Sequence, residues 1–599
     1  MRSHGPLLPE TQRAHGDKLR WMRRIHRAGI AALADPTGPA EEDVTREMDE
    51  YLELCTVGDL VVRGRAHRPE QDAVVFPDAR RTYRELEQRA TTVARSLLGM
   101  GLGPGDRVGV FMPNRPEFLE ILFGALFLGA VVVPVNARFR HRELRHVIRD
   151  AEMRVLFVGD APGDPTRRAD VVSEALRPVD RAGTFAAGEV TRLRAGAAPR
   201  LEAVVTLDLA DAPDFLSQQE FSRLARDATR EAVHERRRRV AVRDVAMMFY
   251  TSGTTSMPKG CLLSHEALVR TGICTHERLG YRDGDRVFAP CPMFHTASTQ
   301  PMIAAMHALG TMVTMGHFEP EDALALVENE DVTAMFPAFP ALTEGMLSSP
   351  HYRTESFRRV RTVFTVAPTP ALRSMQQRMP HTRLVNAYGM TEFGGSVVMV
   401  SPEDEDDVRL GTQGPPFPGI EIGIRDESNA DLDTGRQGEI VVRGPSMFAE
   451  YHRDPAKTAE CIDVDGWFHT GDLGAIGVDG RLRFQGRLKD MLKIGGENVA
   501  AIEIAGCLQE LAQVGVAHVV GIADAKYGEV PAAFIELRPG ASLTEQDAIE
   551  HCAAELARFK VPRYVRFVTE WPMSSTKVQT ARLREQLEIE LRAGMTVAP

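Results

Sequence analysis

From residue 106 onward the chain alternates short apolar runs with longer segments of helical period, and this pattern limits the possible folds more than any other feature. Asp106–Met112 reads as a strand, Glu117–Leu128 as a helix, Ala130–Val135 as a strand, His141–Ala151 as a helix and Val155–Val158 as a strand. Strands separated by helices cannot pair as hairpins. Each helix must cross over the sheet, so the strands run parallel and the helices cover them. A second alternating block runs from 245 to about 400, and Thr382–Val385 is one of its strands. Between the blocks, residues 160–240 are rich in Ala, Arg, Asp and Pro with weak periodicity, and are expected to form variable surface structure. A chain of 599 residues exceeds what one core can hold, so two to four domains are expected.

The texture changes near 405. Gly414-Pro415-Pro416-Phe417-Pro418-Gly419 is a turn-dense linker. The short strands Ile420–Ile424, Gly438–Arg443 and Arg481–Gln485 that follow predict a small β-barrel or meander. After Gly486 the pattern becomes helix (Ile502–Glu510), strands (Val514–Ile522, Ala532–Leu537) and helix (Glu545–Ala557), a compact α+β domain. The expected architecture is α/β. Residues 1–50 are an extension, 51–486 a large domain of two parallel-rich αβ subdomains plus the β-barrel, and 487–599 a small α+β domain.

Charge and cysteine usage exclude some classes. The balance of 72 Lys+Arg against 83 Asp+Glu, net −11, disfavours a nucleic-acid binder. The run Arg236–Arg239 reads as a solvated helix end. Seven scattered cysteines form no C-x-x-C pair, which points to a reducing compartment, the cytoplasm. The start of the chain has no continuous apolar stretch of signal-peptide type. Residues 18–34, basic with Trp21, Met22 and Ile25, read as a helix packed on the body, with a membrane-surface helix as the alternative. Phe118–Val135 is nearly all apolar, but Glu120, Gly129 and Pro134 make it a buried helix running into a buried strand rather than a membrane span.

The stretch most telling for chemistry is Tyr250-Thr251-Ser252-Gly253-Thr254-Thr255-Ser256-Met257-Pro258-Lys259-Gly260, after the apolar strand Met247–Tyr250. Hydroxyls and free backbone N–H groups can wrap a polyphosphate, glycine allows close approach, and lysine adds a point charge. It is not a Walker A loop, and by itself it could be an ordinary turn. Five further segments carry polar groups at strand ends or turns. In Asn386-Ala387-Tyr388-Gly389-Met390-Thr391-Glu392 an aromatic can stack on a base, and a hydroxyl beside a carboxylate can hold a hard cation. In Gly466–Gly474 the turn aspartate Asp472 can accept from both hydroxyls of a ribose. Gly486-Arg487-Leu488-Lys489-Asp490 sits at the domain boundary, and Lys493-Ile494-Gly495-Gly496 heads the small domain. Pro572–Val578 places Lys577 in a polar loop. Singly, each reads first as a turn, a linker or an exposed charge.

Jointly, in this order, these segments resemble the adenylate-forming superfamily over roughly residues 55–590, most of all a bacterial acyl-CoA synthetase. The superfamily comprises acyl-CoA synthetases, adenylation domains that charge carrier proteins, and firefly-type luciferases. The resemblance implies that a carboxylate attacks the α-phosphate of ATP, and that coenzyme A then displaces AMP from the acyl-adenylate. It implies that Thr251, Ser252, Gly253, Thr254, Thr255 and Lys259 hold the β- and γ-phosphates. Tyr388 would stack on adenine, Thr391 contact the α-phosphate, and Glu392 bind Mg²⁺. Asp472 and Arg487 would hold the ribose, and Lys577 would bridge the acyl carboxylate and the α-phosphate. Lys489 would be the hinge of a mobile small domain, Gly495 and Gly496 would line the pantetheine tunnel, and Lys493 would serve the second half-reaction.

His295 would gate the acyl carboxylate, with a histidine packed at a strand end as the plainer reading. The stretch with Met302, Ala304, Ala305 and Met306, together with Ala367, would shape a pocket for a hydrophobic acid: a medium or long fatty acid, or a bulky alicyclic or aromatic one. Core packing explains the same residues equally well.

Four positions depart from the family pattern. Ser256 replaces a glycine, Thr365-Val366-Ala367-Pro368 replaces a Gly-rich loop, and Ala501 replaces a proline. Thr576-Lys577 stands where relatives read Gly-Lys, in a loop one residue short. Transfer to a carrier protein, thioester formation from a preformed adenylate, and a non-catalytic nucleotide-binding regulator are the competing functions. The expected partners are a small carboxylic acid, ATP and coenzyme A, with no nucleic acid and no membrane span, and a homodimer is among the open assemblies.

Overall fold

The computed structural model describes residues 56–599 except 162–163, 165, 186–189, 208–211, 213, 252–256, 489–490, 495–496, 525–526, 575–576 and 596–599. The extension 1–50 and its basic helix therefore lie outside the described residues.

Two seven-stranded sheets form the large domain. The first runs, edge to edge, through Arg383–Val385, Thr362–Thr365, Ala334–Ala338, Arg286–Phe288, Thr311–Val313, Asp72–Val75 and Arg80–Thr82. The second runs through Lys259–Ser264, Val245–Thr251, Val131–Pro134, Arg107–Phe111, Val155–Gly159, Ala203–Leu207 and Leu216–Ser217. Pairing is parallel except at one edge of each sheet, where a hairpin adds an antiparallel strand. The run Val131–Pro134 is buried throughout, as a parallel strand covered on both faces must be. The helix Pro116–Leu126 opens with Pro at its first turn, where no backbone N–H is needed, and is almost wholly buried. The apolar run through Val135 is therefore the expected helix followed by a core strand, and no helix among the described residues is long and apolar enough to cross a membrane.

Residues 160–240 correct the sequence reading. Ala203–Leu207 is a fully buried strand in parallel register with Val155–Gly159, and Val179–Thr184 pairs with Thr191–Ala195 as a hairpin. A strand buried on both faces shows no alternation, so Ala-Val-Val-Thr-Leu among arginines and aspartates carried no periodic signal.

Four antiparallel strands follow in chain order, Glu421–Arg425, Gly438–Arg443, Phe468–Ile476 and Leu482–Arg487. This is the meander, and no pairing among the described strands closes it into a barrel. The separate C-terminal domain has a five-stranded sheet in which Gly528–Leu537 lies between Val514–Asp524 and Met491–Ile494 and also pairs with Tyr564–Phe567. Its helix Ala501–Gln509 packs against the large domain's helix Thr369–Arg378, and Arg538 lies 3.7 Å from Glu344 across the same junction.

Two core histidines make the fold acid-sensitive. His265 is fully buried, its Nδ1 accepting from Val57 N at 3.2 Å, and burial lowers it from 6.5 to about 4. His307, its ring 4.8 Å from that of His276, is lowered to about 3 by burial and then by the charges of His276 and Arg63. Both fold as neutral rings, so the unfolded chain binds the extra proton. Their contribution is complete above the unfolded value of 6.5 and falls away as pH drops toward the folded values. Lowering the pH from about 6.5 to about 5 should cost about 2 kcal/mol per histidine. The expected result is a lower urea midpoint at about pH 5, with the drop reduced in His307→Gln; a midpoint flat across this window would contradict neutral burial.

Candidate active site

The phosphate-type loop connects a β-hairpin. Val245–Thr251 runs antiparallel to Lys259–Ser264, and Thr251 and Lys259 are cross-strand partners where the loop leaves and returns. Ser252, Gly253, Thr254, Thr255 and Ser256 lie outside the described residues. The hairpin base is pinned to the helix His141–Asp150. The Tyr250 hydroxyl donates to Asp150 Oδ2 at 2.7 Å, and His146 Nε2 lies 2.9 Å from the Pro258 carbonyl oxygen.

Residues 448–454 lie along the outer edge of this hairpin. Ala449 N donates to Leu262 O at 2.8 Å, Leu262 N to Glu450 O at 3.1 Å and His452 N to Gly260 O at 2.7 Å. The approach is tight, since a Cβ on Gly260 would stand 3.2 Å from His452 Cβ and 2.9 Å from Met248 Sδ. Glycine at 260 thus serves backbone contact between these strands. The same segment reaches both charged residues singled out in the sequence. Asp454 lies 3.6 Å from Lys259 Nζ, and the Tyr451 hydroxyl donates to Glu392 Oε1 at 2.6 Å. Phe448 N also donates to the Glu392 carbonyl oxygen at 2.6 Å. Burial, then the Glu392 charge, holds the Tyr451 phenol above its ordinary range, so it remains a donor to the carboxylate.

Glu392 sits in the short 3₁₀ turn Thr391–Phe393, straight after the strand Ala387–Met390 that carries Tyr388. Both Thr391 and Glu392 are half-buried. At the other end of this segment three residues converge that the sequence places far apart. The Tyr388 hydroxyl donates to Asp472 Oδ2 at 2.8 Å, and Arg487 Nε lies 3.5 Å from Asp472 Oδ1. Asp472 and Arg487 are direct partners across antiparallel strands, so the strand register itself sets their meeting. Gly471 makes the bend before Asp472 at φ 68°, and its N–H donates to Glu439 Oε1 at 2.9 Å. The Asp472 N–H bonds Thr470 Oγ1 at 3.0 Å. Phe484 packs against the Tyr388 ring, the centroids 5.6 Å apart and the planes at 26°. Burial, then the Asp472 carboxylate, pushes the Tyr388 phenol well up.

Of the residues expected at an acyl pocket, His295 stands at the N-cap of the helix Thr296–His307, half-buried, with its ring 4.6 Å from that of Phe294. Met302 is buried in that helix, and Ala367 is buried beside the exposed Val366. Lys493, expected to serve the second half-reaction, is exposed on the strand Met491–Ile494, its N–H bonded to Glu529 Oε2 at 2.8 Å. Lys489, Gly495 and Gly496 lie outside the described residues. Lys577 opens the two-residue strand Lys577–Val578, paired with Met573–Ser574.

The structure thus joins Tyr388, Asp472 and Arg487 at one end, and ties Glu392 and Lys259 to a common segment at the other. The sequence reading missed the connectors: Tyr451, Asp454, Glu439 and Phe484. Tyr451 stands in the polar run Ala449-Glu450-Tyr451-His452, where nothing but an aromatic among charges marked it.

Known proteins share this architecture. The AMP-binding enzyme family profile matches residues 62–452, and that of the AMP-binding enzyme C-terminal domain matches 503–577. A methyl-dioxo-octahydroindenyl-propanoyl:CoA ligase of Rhodococcus jostii is 32% identical over 525 residues, covering 86% of this chain and 96% of its own. The mitochondrial medium-chain acyl-CoA ligase of Rattus norvegicus is 26% identical over 607 residues, covering 98% of this chain and 97% of its own. The crystal structure of ATP-bound MatB from Rhodopseudomonas palustris superposes with a TM-score of 0.74 at 26% identity, covering 88% of this chain and 98% of that one.

Proposed function

The chain belongs to the AMP-binding enzyme family, and from that premise we propose that it converts a hydrophobic carboxylic acid to its acyl-CoA through the site around Tyr388, Glu392 and Asp472. It is an AMP-forming acyl-CoA synthetase: ATP-dependent activation of an acid is followed by ligation to coenzyme A. In the first half-reaction a carboxylate oxygen bonds the α-phosphorus of ATP and pyrophosphate leaves. In the second the coenzyme A thiol bonds the acyl carbon, AMP leaves, and the thiol proton passes to solvent.

The observation that carries the site assignment is the Tyr388–Asp472–Arg487 cluster, with contacts of 2.8 and 3.5 Å. A carboxylate held between a phenol and a guanidinium at the end of the meander is pre-oriented to accept from ribose hydroxyls. Adenine stacks on Tyr388, and Lys259 with Thr251, Ser252, Gly253, Thr254 and Thr255 takes the outer phosphates. Glu392 and Thr391 offer hard oxygen donors, the set suited to Mg²⁺, and the Tyr451 hydroxyl keeps the Glu392 carboxylate in one orientation. When bound, the cation neutralises charge on the phosphate oxygens as pyrophosphate leaves. Lys577 offsets repulsion between the acyl carboxylate and the α-phosphate. Lys489 is the hinge, and Lys493, Gly495 and Gly496 face the thiol in the second half-reaction.

The domain division falls at Gly486/Arg487, which the gap between the matched regions 62–452 and 503–577 supports. The cytoplasm is the proposed compartment, in keeping with six free cysteines among the described residues.

His295, Met302 and Ala367 line the acyl pocket in this reading. The names of the two ligase relatives, one for a medium-chain acid and one for a fused-ring propanoate, support a hydrophobic acid. A panel of straight-chain, alicyclic, aromatic and short polar acids, scored by pyrophosphate release and acyl-CoA formation, tests it. The expected result is kcat/KM at least about tenfold higher for hydrophobic acids than for small dicarboxylates, since each buried methylene adds about 0.8 kcal/mol. Preference for a dicarboxylate would overturn the pocket assignment, and no pyrophosphate with any acid would overturn the site.

A further inference from the structure

Where the helix Ala501–Gln509 ends against the helix Glu545–Glu555, three different ligand types meet. The Cys507 sulfur, a Glu510 carboxylate oxygen and a His551 ring nitrogen all lie within 4.8 Å of one another. Cys507 and Glu510 are one helical turn apart, so they share a face at the helix end. His551 comes from the facing helix, its Nε2 3.0 Å from the Cys507 carbonyl oxygen and 4.0 Å from Glu510 Oε2. The fully buried Cys552 follows His551 on the same helix. None of these residues takes part in the acyl chemistry above.

The geometry points to a zinc-type divalent-cation site formed by Cys507, His551 and Glu510, which clamps these two of the small domain's helices together. Thiolate with imidazole and a carboxylate is a donor set that suits Zn²⁺, whereas Mg²⁺ and Ca²⁺ take oxygen ligands. Tetrahedral bonds of about 2.0–2.3 Å put neighbouring donors about 3.5 Å apart, so the side chains must rotate to close the cluster around an ion, with the other His551 ring nitrogen ligating or Nε2–H giving up the Cys507 carbonyl oxygen. The half-exposed Glu510 side chain gives an ion its way in, while the sulfur and the imidazole sit deeper. On binding, the Cys507 S–H bond breaks, the sulfur–metal bond forms and the proton goes to solvent.

Titrating the full-length, chelator-treated chain with Co²⁺ tests this without any assay of activity. The expected result is one equivalent bound, a thiolate-to-cobalt charge-transfer band, and displacement of that band by Zn²⁺. Cys507→Ser should abolish the band. Glu510→Gln, at an exposed helix end where the fold tolerates change, should weaken binding about 10- to 100-fold. Cys274→Ser, remote from the cluster, should leave both unchanged. Cobalt bound without a thiolate band, a band that survives Cys507→Ser, or unaltered affinity in Glu510→Gln would each overturn the site.

Discussion

Lys577→Ala should reduce acid-dependent pyrophosphate release about 10²–10³-fold, while thioester formation from synthetic acyl-AMP and coenzyme A stays within about threefold of the unsubstituted chain. Activation forces two anions, the acyl carboxylate and the α-phosphate, to bonding distance. One ammonium between them relieves that repulsion, and removing such a preorganised charge costs about 3–4 kcal/mol of barrier. Acyl-AMP has already passed that barrier, so the second half-reaction does not need Lys577. The short strand gives the assignment a structural footing: Ser574 and Lys577 are direct cross-strand partners, so the backbone at Lys577 is held by sheet pairing. The missing loop residue and Thr576 in place of glycine therefore act on a position anchored on its far side. Stopped-flow or coupled assays of the two half-reactions on one preparation decide the matter. Equal loss in both would remove Lys577 from the chemistry and make it a residue of the small domain's stability.

What the sequence revealed and what it hid have physical reasons. Alternation of strand and helix gave the parallel sheets, because the strands Arg107–Phe111, Val131–Pro134 and Val155–Gly159 are each followed by a helix or crossover of ordinary length. The buried strand Ala203–Leu207 stayed hidden, because a run apolar on both faces has no period and its flanks are polar. The site was legible as separate turns, since Gly, Thr and Asp at strand ends mark places where backbone and side chain can face a ligand. Its assembly was not legible. That Arg487 faces Asp472 depends on the register of two strands joined by a turn at Gly480, and that Tyr388 reaches Asp472 depends on how the meander packs on the large domain. Tyr451 was invisible for the same reason: its bond to Glu392 exists only because residues 448–454 run along the edge strand Lys259–Ser264. Contacts across long sequence separations carry no local pattern, and here they are the ones that hold the candidate carboxylates Glu392 and Asp472.

The second large effect follows from that assembly. Asp472→Ala should lower kcat/KM for ATP about 10²-fold, mostly through KM, and leave the KM for the acid unchanged. A carboxylate accepting two hydroxyls makes two charge-assisted hydrogen bonds of about 1.5–3 kcal/mol each, and losing them together costs about 3 kcal/mol or more. Part of any loss is structural, because the Tyr388 hydroxyl and the Arg487 guanidinium both rest on this carboxylate at 2.8 and 3.5 Å. Two comparisons separate the contributions. Asp472→Asn keeps an oxygen that accepts from Tyr388 but gives up the charge toward Arg487 and the ribose, so it should fall between the parent chain and the alanine variant. Deoxy-ATP lacking a ribose hydroxyl should be a poorer substrate than ATP for the parent chain and an equal one for Asp472→Ala, because the variant has no group left to sense the missing hydroxyl. A merely structural Asp472 would lower activity with both nucleotides and leave their ratio as it was. An unchanged ratio would therefore strip Asp472 of its ribose role even if the variant were slow, and with it the observation on which the whole nucleotide site rests.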